Sequence, residues 1–275
     1  MKRIVLVVLL VIVAGIAGMV VRSSSIGVNR KFVSQNAVDV RDNLRQTYDL
    51  APGTHVELAG LNGSVTIETS DSKTAEISIE RMASSQEEMD RRRVLIESTP
   101  GNLRIRAEKA NTGFFSRFFG SDAHEKVSLK LPRDVSLLAK GINGNVTVGD
   151  LDNAVEMAGI NGRIQIARAT GATFKGVNGN IAVALSRLDQ EGIRLSGING
   201  NIDLQLPADA NADLDAHGMN GRVISDLPNV TIDQSKHGNY SARIGSGGNA
   251  IEAKGINGNI RLSRLNEPRA ADAGN

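Results

Sequence analysis

The sequence predicts an all-β protein, a parallel β-solenoid (β-helix) of ~17–21-residue coils, with one short helix in its N-terminal part and an apolar N-terminal helix ahead. Three observations predict it: a glycine–apolar–Asn–Gly phrase that recurs at near-constant spacing, the side-chain parity around that phrase, and the loss of helical periodicity after Pro132. The phrase reads "KGINGNVTV", "AGINGRIQI", "KGVNGNIAV", "SGINGNIDL", "HGMNGRVIS" and "KGINGNIRL", with an isolated copy, "AGLNGSVTI", upstream. The motif glycines are Gly144, Gly162, Gly179, Gly200, Gly221 and Gly258; Gly238 in "KHGNYSARI" fits as a degenerate copy with His237 in the Asn place. The steps are then 18, 17, 21, 21, 17 and 20 residues, which means a stacked array of one unit.

Asn-Gly is also the strongest short signal for a two-residue hairpin turn, and parity decides between the two. In a hairpin about Asn199-Gly200, Ile193, Leu195, Ile202, Leu204 and Leu206 share one face, and Ile198 is stranded among the polar residues of the other. Ile142, Ile160, Val177, Met219 and Ile256 would be stranded likewise. If the chain instead turns a corner at Gly197 and continues extended, Ile198, Gly200, Ile202, Leu204 and Leu206 all point inward, and no apolar residue is left outside. The corner reading puts Asn143, Asn161, Asn178, Asn199, Asn220 and Asn257 in register, a structural ladder of amides each offering donors and an acceptor. The residues that follow each Asn-Gly (Asn145, Arg163, Asn180, Asn201, Arg222, Asn259) form a second, outward row, a candidate polar binding strip.

The elements follow in order. Residues 1–33 form a membrane anchor or signal segment: Ile4 to Val21 carries no charge between Lys2-Arg3 and Arg22. Eighteen apolar residues rise ~27 Å as a helix, close to a hydrocarbon core of ~30 Å. The run continues past the small residues of "VAGIAG", which favours a retained transmembrane helix over a cleaved signal peptide; either exports the rest of the chain. Residues 34–54, polar and mixed, read as a stalk, and the β-solenoid domain runs over 55–265, its repeats clearest over 132–265. "HVELAGLNGSVTIET" and "TAEISIERM" alternate as strands. "SSQEEMDRRR" is helical, with capping-box spacing at Ser84/Glu87 and Ser85/Glu88. "VLIES", "NLRIRAE" and "KVSLKL" are further strands, "TPGN" a turn, and 266–275 a disordered tail.

With those repeats and the "KVSLKLPRDVSLLAKGINGNVTV" passage before them, the chain resembles the bacterial putative adhesin family, whose relatives include the head GIN domain. The resemblance covers roughly residues 55–265 and is strongest over 125–265. It implies a β-solenoid outside a membrane, often behind one N-terminal helix, and no established enzymatic activity. The chain departs from the family by a Phe-rich insertion.

Composition narrows the chemistry. Without the five basic residues before residue 34, the remainder has 27 Lys and Arg against 30 Asp and Glu, a net of −3, which excludes a nucleic-acid partner. Cysteine is absent, so disulfides and thiol catalysis are excluded. No cofactor and no metal site are expected: His55, His124, His217 and His237 are scattered without ligand spacing. "IGSGGNA" precedes no helix and reads as a turn, not a phosphate loop. Asp150, Asp152 and Asp203 are the acids that a polysaccharide-active β-helix, the alternative function, would need. No catalytic motif is recognisable, and the expectation is a non-catalytic envelope scaffold or adhesin-like binding module, with a link to envelope stress. It faces the periplasm or cell exterior, meets the membrane through its N-terminal helix, takes a protein or glycan ligand, and is open to self-association. The candidate binding loop is "NTGFFSRFFGSDAHE", with Phe114, Phe115, Arg117, Phe118 and Phe119; it serves either as an exposed apolar tip or as a cap on one end of the coil stack.

Overall fold

The computed structural model describes residues 40–109, 123–188, 190 and 192–265. The N-terminal apolar run, the Phe-rich segment and the C-terminal tail lie outside the described residues. Among those described, no helix is long and apolar enough to cross a membrane.

The described residues are mostly β, in two large mixed sheets of ten and eleven strands. In the middle it alternates between them. β8 (Ser136–Lys140), β10 (Val155–Ala158), β12 (Ala172–Lys175) and β14 (Ile193–Asn199) pair in parallel in one sheet. β9 (Val146–Asp150), β11 (Ile164–Ala169), β13 (Ile181–Leu185) and β15 (Ile202–Leu206) do so in the other. The strands flanking an Asn-Gly pair are therefore not bonded to each other; each lies beside its equivalent from another repeat, and the pair forms one rung. Between the sheets the parity pattern is satisfied: Ile142, Ile160, Val177, Ile198, Met219 and Ile256 are all buried, along with the strand aliphatics and Phe174. Each such side chain gains about 1.5–3 kcal/mol from leaving water.

The ends depart from chain order. β2 (His55–Ala59) and β3 (Val65–Ser70) form a rung between β8–β9 and the rung of β6 (Asn102–Lys109) and β7 (His124–Pro132). At the other end β20 (Asn249–Asn257) and β21 (Ile260–Arg264), last in sequence, lie between β14–β15 and the rung of β16 (Ala212–His217) and β17 (Val223–Ser225). Antiparallel strands cover both sheets at the first end and one sheet at the other, where β17 is the last strand of its sheet. β4 (Thr74–Ala83) joins β7, and β1 (Val40–Asp49) joins β4. β5 (Arg92–Thr99) forms a hairpin with β6 through Pro100-Gly101, where Gly101 takes φ +79°. β18 (Val230–Lys236) and β19 (Asn239–Ile244) form a hairpin whose second strand pairs with β16.

Two expectations are corrected here. The segment 34–54, read as a stalk, contains β1, whose Leu44 and Tyr48 pack against the core. Gly238 does not start a further coil: it sits in the β18–β19 hairpin turn at φ +79°, where its carbonyl accepts the Met219 N–H at 2.8 Å, but with no flanking apolar–Asn pair it adds no amide to the ladder. The helix α1 (Gln86–Arg91) is shorter than its charge pattern because Arg92 and Arg93 already belong to β5. Its N-cap is Ser85, whose Oγ accepts the Glu88 N–H at 3.3 Å, while the Ser84 hydroxyl donates to the Glu88 carboxylate at 2.8 Å.

Candidate functional site

Each corner is built by two glycines with different duties. Gly197 takes φ +61°, the left-handed backbone that lets the chain leave one sheet. A Cβ on Gly200 would overlap the carbonyl oxygen of Gly179 one rung away, so only glycine allows rungs to approach this closely. Between them stand one buried aliphatic and one outward Asn. Backbone pairing continues round the bend: the Asn199 N–H donates to the Val177 carbonyl at 2.8 Å, and the Asn178 N–H to that of Ile160 at 2.8 Å.

The corner asparagines bond in a single direction. Nδ2 of Asn143 donates to Oδ1 of Asn62 at 2.9 Å, Asn161 to Asn143 at 2.9 Å, Asn178 to Asn161 at 3.1 Å and Asn199 to Asn178 at 3.0 Å. The chain of amides then jumps in sequence, from Asn257 to Asn199 at 2.9 Å and from Asn220 to Asn257 at 3.0 Å. Aligned amides polarise one another, so the row acts as one hydrogen-bonded unit. Asn62, from the isolated upstream copy, belongs to it; its Nδ2 donates to the Ala123 carbonyl at 2.9 Å.

Below Asn62 a buried ion pair replaces the next corner. The Glu125 carboxylate, 2% exposed, accepts the Asn62 N–H at 2.7 Å and pairs with Arg92, whose second contact to it is 3.1 Å. Arg92 also donates to the Gly60 carbonyl at 2.6 Å, so each buried charge is met by charge and by backbone. Sequence reasoning missed both residues: Arg92 reads as one of three arginines ending a helix, and nothing local marks Glu125 as its partner.

The outward row does more than face water. The Arg163 N–H donates to Oδ1 of Asn145 at 2.9 Å, and the Asn201 N–H to Oδ1 of Asn180 at 3.0 Å. The Asn259 and Arg222 N–H groups donate to Oδ1 of Asn201 and of Asn259, each at 3.0 Å. All six residues of the row are exposed. On this face the strands leave a shallow groove of about 470 Å³, bordered by Arg163, Asn180, Asn201, Asp203, Asn259 and Arg261 with the small Ala182 between them.

The opposite sheet carries a second hollow of about 440 Å³, around Glu57, Arg104 and Lys140. Its charges satisfy one another: Glu57 meets Lys140 at 2.6 Å and Arg104 at 2.8 Å. The Lys140 hydrogen bond, with help from Arg104, holds the Glu57 carboxyl below the usual carboxylate range despite its burial.

The acids singled out from sequence are not brought together. Asp150 pairs with Arg133 at 3.3 Å, and Asp203 accepts from the Ser263 hydroxyl at 2.8 Å. Among the described residues no group of three or more His, Asp or Glu could hold a metal ion. The candidate loop of Phe114, Phe115, Arg117, Phe118 and Phe119 falls outside the described residues; the strands it joins, β6 and β7, form the rung below Asn62.

The molecule is thus a two-sheet β protein whose rungs are joined by a repeated hydrogen-bonded corner. No family model and no curated protein matches the sequence. Among solved structures, the chain is similar to a putative cell adhesion protein from Clostridium sporogenes, at 12% identity and a TM-score of 0.39, over 81% of this chain and 100% of that one. It is similar to a putative adhesin from Bacteroides fragilis at 10% identity and a TM-score of 0.35, over 80% of this chain and 97% of that one. A putative adhesin from Parabacteroides merdae follows at 12% identity and a TM-score of 0.24, over 80% and 95%. These neighbours are named for adhesion rather than for an enzymatic activity.

Proposed function

We propose that the chain is an exported, membrane-tethered parallel β-solenoid that works without catalysis, as an adhesin-like binding or scaffolding module of the cell envelope. The observation that carries this reading is the division of roles at the corners. The glycines, aliphatic and Asn of each repeat are consumed in packing and in rung-to-rung hydrogen bonds, while the next residue is exposed and is polar on every rung: Asn145, Asn180, Asn201 and Asn259, with Arg163 and Arg222. A rigid repeat with a regular, exposed polar row suits recognition of an extended partner. The tether rests on the uncharged run from Ile4 to Val21 behind Lys2-Arg3. A part in envelope stress would raise the protein's level on envelope damage.

Fractionation tests the reading. The full chain is expected in the membrane fraction, released by detergent and open to protease from outside the cytoplasm, whereas a chain lacking residues 1–33 stays in the cytosol. Equal cytosolic recovery of both would refute the export and the envelope role.

A further inference from the structure

Four asparagines of the outward row have an orientation that their hydrogen bonds dictate. Each of Asn145, Asn180, Asn201 and Asn259 meets a backbone N–H of the adjoining rung. A backbone N–H can only donate, so the atom facing it must be Oδ1, and the Nδ2 group is turned away toward solvent. The acceptor half of every one of these amides is engaged, and the donor half is on offer. Arg163 and Arg222 occupy the remaining places of the row, and neither has an ion-pair partner among the described residues. Guanidinium, like the outward amide, only donates.

The row is therefore a strip of donors running along the stack and repeating at about 4.8 Å per rung. Asp226 pairs with Arg261, while Asp203, which also lines the groove, accepts the Ser263 hydroxyl at 2.8 Å and keeps its charge one position along the strand from the row. The groove lies along the middle of the strip, where Ala182 leaves room beneath Asn180 and Asn201.

From this donor-only, cationic strip we infer an acceptor-rich ligand, an acidic polysaccharide laid along the stack axis with its carboxylates toward Arg163 and Arg222 and its hydroxyl and ring oxygens toward the amides. One rung advances by about the length of one pyranose residue in an extended chain, so successive sugars meet successive amides. Single-stranded nucleic acid, another polyanion, is disfavoured because the groove lining holds no aromatic ring on which bases could stack. The inference rests on the binding-module reading above and names the ligand class for it.

The test uses the full chain in detergent with polygalacturonate as probe and neutral dextran as control, read by calorimetry. The informative variant is Asn180→Asp with Asn201→Asp. A carboxylate still accepts the backbone N–H of the next rung, so the corner is kept while each outward donor becomes a negatively charged acceptor. Polygalacturonate binding should fall about a hundredfold in this variant, with the thermal transition still cooperative and only modestly lowered by the two neighbouring carboxylates. Arg163→Gln with Arg222→Gln should lower affinity and flatten its dependence on salt. Binding unchanged in the Asp variant, equal binding of dextran, or no binding of polygalacturonate by the unaltered chain would each overturn the inference. Those failures leave the envelope role standing, because fractionation and protease access test that role separately.

Discussion

Between β8 and β15 each rung lies on the one before it in sequence, whereas at both ends the order is broken by a rung inserted from elsewhere in the chain. The corners do not register the difference. The Asn199–Asn178 bond spans 21 residues at 3.0 Å, the Asn257–Asn199 bond 58 residues at 2.9 Å, and the Asn143–Asn62 bond 81 residues at 2.9 Å. A corner thus recognises another corner by shape and hydrogen bonding, whatever their separation. What sets the order is the edge. An antiparallel hairpin such as β18–β19 can cover the outermost parallel strand, and the rung that follows it in sequence must then slot inside.

The largest way to break the comparison acts at the end that lacks a corner. Arg92→Met leaves Glu125 buried and unpaired, and should cost about 3–5 kcal/mol in denaturant unfolding; adding Glu125→Leu should recover much of that loss. In the middle, Gly200→Ala forces a methyl group against the Gly179 carbonyl and should cost about 2–3 kcal/mol. Gly101→Ala, in the β5–β6 hairpin with nothing within 4 Å, should cost only about 1 kcal/mol. Asn178→Ala removes two ladder bonds and Asn220→Ala one, so losses of about 1–2 and 0.5–1 kcal/mol are expected from the same unfolding curves.

The smallest expected effect is that of pH. Because Glu57 has its carboxyl pKa lowered in the folded state, its contribution is present above the unfolded carboxylate pKa and is lost as pH falls through the folded value. Acid unfolding curves of Glu57→Gln should be flatter than those of the unaltered protein in that acidic window, and a parallel pair of curves would show that Glu57 carries no such linkage.

What could be read beforehand follows from the range of the forces involved. The corner was legible because parity is local: Ile198 must be inside, and five residues of sequence say so. The helix start was legible because Ser85 and Glu88 are three residues apart. The rung order was not, since nothing in "KGINGNIRL" distinguishes a coil that ends the stack from one that enters it. The Arg92–Glu125 pair joins positions 33 residues apart with no periodicity to link them. The reading of Gly238 as a corner failed because spacing was met without the apolar–Asn pair that makes a corner stack. The donor direction of Asn180 and Asn201 became visible only once their backbone partners were known.

The rung order is the claim on which the outward strip depends, and it can be tested by cross-linking because the chain has no cysteine of its own. Arg194 is in register with Glu252, which is in turn in register with Asp215, so Arg194 and Asp215 lie two strands apart. Adjacent strands are about 4.8 Å apart, within disulfide reach, and alternate ones about 9.6 Å, beyond it. Oxidation of Arg194→Cys with Glu252→Cys should yield a cross-link in the folded protein, and Arg194→Cys with Asp215→Cys should not. The reverse pattern would mean that the coils stack in chain order, contradicting the account.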